Sequence, residues 1–134
     1  MTAEIKYVNP TTLPAAVGYS QVVEVRAART IYIAGQVPVD NKGEIVGVGN
    51  FEAQVEQVFR NLAAALASVG CTARDLVKMT VFVRDMGNLL QYRAARQKFL
   101  GSVTPVAAPA VTLVEVSSLY ADEILLEIEA VAAA

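Results

Sequence analysis

Val77-Lys78-Met79-Thr80-Val81-Phe82-Val83-Arg84 alternates along its whole length. Successive side chains of a strand point to opposite faces, so Val77, Met79, Val81 and Val83 share one face and Lys78, Thr80, Phe82 and Arg84 the other. The first face reads as core. The second mixes a large ring with charges. It is too apolar to leave wet and too polar for a private core. A last strand, expected over about residues 123–132, carries the same mixture, with Leu125 beside Glu127 and Glu129.

Working outward from that strand, the spacing predicts helices on either side. Upstream, Phe51, Val55, Val58, Leu62, Ala65, Leu66 and Val69 recur at three and four residues and form one apolar stripe. Asn50 is placed to cap this helix, Glu52 lies in its positive first turn, and Gly70 follows its end. Downstream, Asp85-Met86-Gly87 turns the chain and Asn88 is read as the cap of a second helix. That helix is anchored by Leu89, Tyr92, Phe99 and Leu100 and ends at Gly101. A strand is expected over 111–116. Residues 1–16, with Pro10 and Pro14, read as an irregular arm. Residues 21–26 and 30–34 read as strands of an antiparallel hairpin turned by Ala27-Ala28-Arg29.

The expected order is β-β-α-β-α-β-β, a single α+β domain over 1–134, with a mixed sheet and two helices on one face. The other face is then left for copies of the chain to cover. Composition agrees: 54% apolar with 18% charged is rich for a domain of 134 residues. A membrane span, needing roughly 20 consecutive apolar residues, is absent from the sequence. The first residues show no secretory or transit pattern, so the cytoplasm is the expected location.

Composition also excludes chemistry. There is no histidine and only one cysteine, Cys71. Ser-His-Asp and Cys-His systems are ruled out, as are an internal disulfide and the usual zinc sites. A net charge of −2, no tryptophan and no basic run leave no nucleic-acid footprint. Catalysis, if present, falls to carboxylates, hydroxyls, Arg, Lys, backbone amides and water.

Glu127 and Glu129 are two apart on a strand and share a face, roughly 6–7 Å apart. A carboxylate against a partly apolar surface suits general acid–base work; the plainer reading is a solvated strand face. Tyr19, in the loop Gly18-Tyr19-Ser20-Gln21, could line a pocket or simply pack. Gly35 permits close approach or a bend. Gly47-Val48-Gly49-Asn50 lacks the Gly-Lys-Ser/Thr of a phosphate loop and reads as a plain loop. Arg93, Arg96 and Lys98 read chiefly as a solvated helix face, and Cys71 as a small apolar residue.

In order along the chain, these segments resemble the Rid superfamily, also called the YjgF family and long labelled endoribonuclease L-PSP. The pieces that carry the resemblance are Tyr19-Ser20-Gln21, Ile33-Ala34-Gly35-Gln36-Val37-Pro38, the stretch from Val77 to Asp85, Pro109-Ala110 with Val114-Glu115-Val116, and Glu127-Ile128-Glu129-Ala130. The resemblance implies a chorismate-mutase-like fold, a homotrimer with ligand clefts between subunits, and hydrolysis of reactive imines or enamines without metal or organic cofactor. It assigns the water-handling carboxylate to Glu127 and the pocket lining to Tyr19 and Gly35.

Archetypal members also grip the substrate carboxylate with an arginine just after the Pro-Ala pair. Here that position is Val111, with Leu113 as a further pocket residue. An isopropyl group cannot replace a bidentate guanidinium. The sequence therefore looks like an arginine-lacking branch, and small 2-imino acids are not the expected substrates unless another cation such as Arg93 stands in. The alternatives are a non-catalytic metabolite-binding or regulatory trimer and, against the charge balance, a ribonuclease.

Overall fold

Residues 3–134 are described by a computed structural model. The expected arm over 1–16 therefore begins outside the described range, at residues 1 and 2. Six strands and two helices follow in the order β1 (Glu4–Val8), β2 (Val22–Arg26), β3 (Thr30–Gln36), α1 (Phe51–Ser68), β4 (Leu76–Val83), α2 (Leu89–Leu100), β5 (Ala110–Glu115) and β6 (Leu126–Ala133). The main sheet has the strand order β3-β6-β4-β5. Its β3/β6 and β6/β4 pairs are antiparallel and its β4/β5 pair is parallel, so the α+β fold has a mixed sheet.

The alternation that opens the sequence decides the layers. Met79, Val81 and Val83 of β4 and Leu126, Ile128, Ala130 and Ala132 of β6 are buried beneath the helices. From α1 they meet Val55, Val58, Leu62 and Leu66; from α2 they meet Tyr92 and Leu100. The expected helix ends are found for α1, where Asn50 Oδ1 accepts from the Ala53 amide at 3.1 Å and Gly70 takes φ +74° just past the end.

Four expectations are corrected. The N-terminal arm contains a strand, β1, which pairs along its full length with β2. The hairpin of β2 with β3 does not form: β2 belongs to a two-stranded sheet with β1, and β3 pairs with β6. The reason lies in Ala27-Ala28-Arg29. A tight three-residue hairpin loop needs a residue with left-handed φ, and these side chains resist it; no non-glycine residue among those described has positive φ. The strands diverge, and Arg29 exchanges backbone hydrogen bonds with Ala134 at 2.8 and 3.1 Å.

The third correction is at the start of β4. A register shift between Leu76 and Lys78 turns Leu76 fully inward and leaves Val77 half-buried, so the inward set begins one residue earlier than simple alternation gives. The fourth concerns Asn88, which makes no capping bond. The capping oxygen is Asp85 Oδ1, which accepts from the Gly87 amide at 2.7 Å in a 3-10 turn that leads into α2.

Candidate functional site

The face of the main sheet away from the helices carries three rows of side chains. Tyr32, Val131 and Lys78 lie side by side across β3, β6 and β4. Glu129, Thr80 and Thr112 form the next row across β6, β4 and β5. Glu127, Phe82 and Val114 form the third. Tyr32 is 80% exposed and Val114 38%, so this face is open within a single chain.

Glu127 is held between β3 and β4. Phe82 is its cross-strand partner on one side. On the other side β3 changes register between Ile33 and Gln36, which brings Gly35 beneath the carboxylate. A Cβ built on Gly35 would overlap Glu127 Oε2 and lie 2.8 Å from its carboxyl carbon. The absence of a side chain at residue 35 is therefore what gives the Glu127 carboxylate its position.

Two polar residues of α1 fix the chain on both sides of this pair, and neither was singled out from the sequence. Gln54 is fully buried. Its Nε2 donates to Glu123 O at 2.6 Å and Gly47 O at 3.3 Å, and its Oε1 accepts from the Leu125 amide at 2.9 Å. It thus holds the chain just ahead of Glu127. Asn61 Nδ2 donates to Val37 O and Val39 O at 3.0 and 2.9 Å, holding the chain that leaves β3 after Gly35. The signal was present as polar residues on the inward side of a helix, since buried polar groups are kept only where they are bonded.

Tyr19, Val111 and Leu113 occupy a different place. Tyr19 is half-buried in the bend before Ser20. Ser20 bridges to Ala110, its amide donating to Pro109 O at 3.1 Å, so the Tyr19 loop lies against β5, the edge strand of the main sheet. Arg96 of α2 pins that loop. Its guanidinium covers Gly18, which takes φ +80°, donates to Val17 O at 3.4 Å, and sits 5.6 Å from the centre of the Tyr92 ring. Val111 and Leu113 are in register with Met79 and Val81 and pack on the helix side of the sheet.

Within one chain, then, the sequence-derived site falls into two parts. Glu127 with Gly35 is on the open face of β6 and β3. Val111 and Leu113 are at the β5 edge on the other face, and the Tyr19 loop lies against that same strand. Arg93 is exposed on α2, in the helix layer, and is not brought to Glu127. Cys71 is buried in the core as expected, and burial and Asp75 push its thiol above the usual range against the pull of Arg29. Among the described residues no three Cys, Asp or Glu side chains converge to hold a metal ion, and no helix is long and apolar enough to cross a membrane.

A mixed sheet with two helices and a glycine-seated glutamate at its open face is the arrangement to compare with known proteins. Residues 10–134 match the family described as Endoribonuclease L-PSP, and the chain belongs to this RutC/YjgF/Rid family. It is 38% identical over 115 residues to a RutC family protein of Pyrococcus horikoshii, covering 85% of each chain. It is 42% identical over 85 residues to 2-iminobutanoate/2-iminopropanoate deaminase of Mus musculus, covering 62% of this chain and 61% of that one. Among solved structures, YyfB of the conserved Rid protein family from Yersinia pestis superimposes with a TM-score of 0.89 at 34% identity, covering 97% of this chain and 98% of that one.

Proposed function

We propose that this protein hydrolyses a reactive imine or enamine, with Glu127 as the general base. The observation that carries the reading is the seat of Glu127: a carboxylate over a glycine, braced by Gln54 and Asn61 on both sides. In the reaction Glu127 takes a proton from water as the oxygen attacks the imine carbon. Glu127 returns that proton to the nitrogen of the tetrahedral adduct, and the adduct's hydroxyl proton follows as the C–N bond breaks, so that ammonia leaves, the carbonyl product remains and Glu127 is again a carboxylate. The relationship to a 2-iminobutanoate/2-iminopropanoate deaminase supports this reaction class.

The substrate is one without a small 2-imino acid's carboxylate, as in an arginine-lacking branch of the family. Val111 offers no charge at the position where an anion anchor is expected, and an unpaired anion in a desolvated cleft costs several kcal/mol. The working unit is a homotrimer with the cleft between subunits. The division of the site supports this, because a second copy is needed to set Tyr19, Val111 and Leu113 opposite Glu127.

The test is ammonia release from a panel of neutral and charged imines generated in solution, beside the mass of the particle by light scattering. Glu127→Gln is expected to lower turnover by about 100-fold or more, the usual weight of a general base. Equal rates for wild type and variant would sink the mechanism. Val111 also favours a second reading, a binding trimer without turnover, which a metabolite that raises the melting temperature with no ammonia release would support.

A further inference from the structure

Lys78 lies outside the Glu127 arrangement and has chemistry of its own. It projects from β4 onto the open face, where its Nζ donates to Thr112 Oγ1 at 2.7 Å. That bond fixes the nitrogen through one N–H and leaves its lone pair available once the amine is neutral. Within a single chain a hollow of about 500 Å³ opens beside it, with Tyr32, Ala34, Thr80, Glu129 and Val131 in its walls. Burial lowers the Lys78 pKa, while the charge of Glu129 works the other way. An amine held in a pocket, with a carboxylate and a hydroxyl in the same walls, is the usual equipment for attack on a carbonyl.

We propose that Lys78 captures small neutral aldehydes or ketones in this hollow as a Schiff base, with Glu129 moving the protons. The neutral Nζ attacks the carbonyl carbon. A C–N bond forms, the carbonyl π pair moves to oxygen, and the oxygen takes a proton. The carbinolamine then loses its hydroxyl as water, protonated through Glu129, as the nitrogen lone pair closes the C=N bond and the second nitrogen proton is released. One amine and one carbonyl give one imine and one water, with no change of oxidation state.

The carbonyl class follows from the lining. Glu129 is an anion, and Lys78, the cation of the hollow, is consumed as the nucleophile, so a 2-oxo acid would set its carboxylate against Glu129. Tyr32, Ala34 and Val131 offer apolar walls instead. Capture at Lys78 does not depend on imine hydrolysis at Glu127.

The experiment treats the intact protein, in its native assembly at neutral pH, with propanal and cyanoborohydride and maps the reduced adducts by mass spectrometry. Lys78 is expected to label at least about tenfold faster than Lys6, Lys42 and Lys98, because it is held in a hollow with a proton carrier beside it. Pyruvate should label it more slowly than propanal, and Lys78→Arg should remove the fast adduct. Glu129→Gln removes the charge that keeps Lys78 protonated, yet it should slow labelling about tenfold because the proton carrier is gone. Glu127→Gln should leave labelling unchanged, which separates this capture from the hydrolysis. Labelling of Lys78 no faster than of the other lysines would overturn the proposal. Unchanged or faster labelling in Glu129→Gln would overturn the role of Glu129.

Discussion

Gln54→Leu tests how the helix layer fixes the site. Gln54 is wholly buried, so water cannot replace what its side chain gives up. The variant keeps a side chain of similar volume and removes its three hydrogen bonds, to Glu123 O, to Gly47 O and from the Leu125 amide. The two short bonds matter most. Leaving a buried backbone donor or acceptor unpaired costs about 1–3 kcal/mol each, so about 4 kcal/mol is lost in all. The leucine restores up to about 2 kcal/mol by apolar burial. The net loss is about 2 kcal/mol. At roughly 4 °C for each kcal/mol in a chain of this length, the melting temperature should fall by roughly 8 °C. Calorimetry at fixed protein concentration measures this, since association shifts the midpoint. Hydrogen exchange at the Leu125 amide adds a local reading and should quicken beyond the global change. A variant that melts at or above wild type, with Leu125 still protected, would refute the assignment of Gln54 as the clamp on the chain entering β6.

Gly35→Ala should leave stability within about 1 kcal/mol. Alanine stiffens the unfolded chain by about 0.4–1 kcal/mol, and that gain offsets the similar cost of pushing Glu127 off its rotamer. Imine hydrolysis should nonetheless fall about 100-fold, the usual penalty for a group displaced by about 1 Å; full activity would show that the seat of Glu127 is immaterial. Val111→Arg should gain ammonia release from 2-iminopropanoate, and no gain would mean that more than this position separates the chain from the deaminases. Tyr92→Phe concerns pH. Burial pushes the Tyr92 phenol up from about 10 to about 12 in the fold, against the opposing pull of Arg96. A raised folded pKa gives stability that is complete below pH 10 and is lost as pH rises from 10 to 12. The variant should flatten that alkaline loss. An unchanged alkaline limb would count against it.

Periodicity was legible where one residue's direction follows from its neighbour's. The stripe of α1, its Asn50 cap and the inward set Met79, Val81 and Val83 all follow from local spacing. The β2–β3 pairing misled because proximity in sequence favours a hairpin, while the missing left-handed residue in Ala27-Ala28-Arg29 forbids a tight one. The first strand was hidden by Pro10 and Pro14, which mark the loop after it rather than the strand itself. Gln54 and Asn61 were hidden because their partners are backbone groups distant in sequence.

By itself, then, the sequence determined both helices and the strands from β2 onward, which face of β4 and β6 goes inward, and that Glu127 and Glu129 share the other. Those follow from the two- and 3.6-residue periods and from the chemistry of single residues. Only the tertiary structure decided that Gly35 lies beneath Glu127, that Gln54 and Asn61 brace it, and that Tyr19 and Val111 lie at a separate edge of the sheet. These depend on the register of strands joined by long connections. A shift of one residue in that register reverses every side chain.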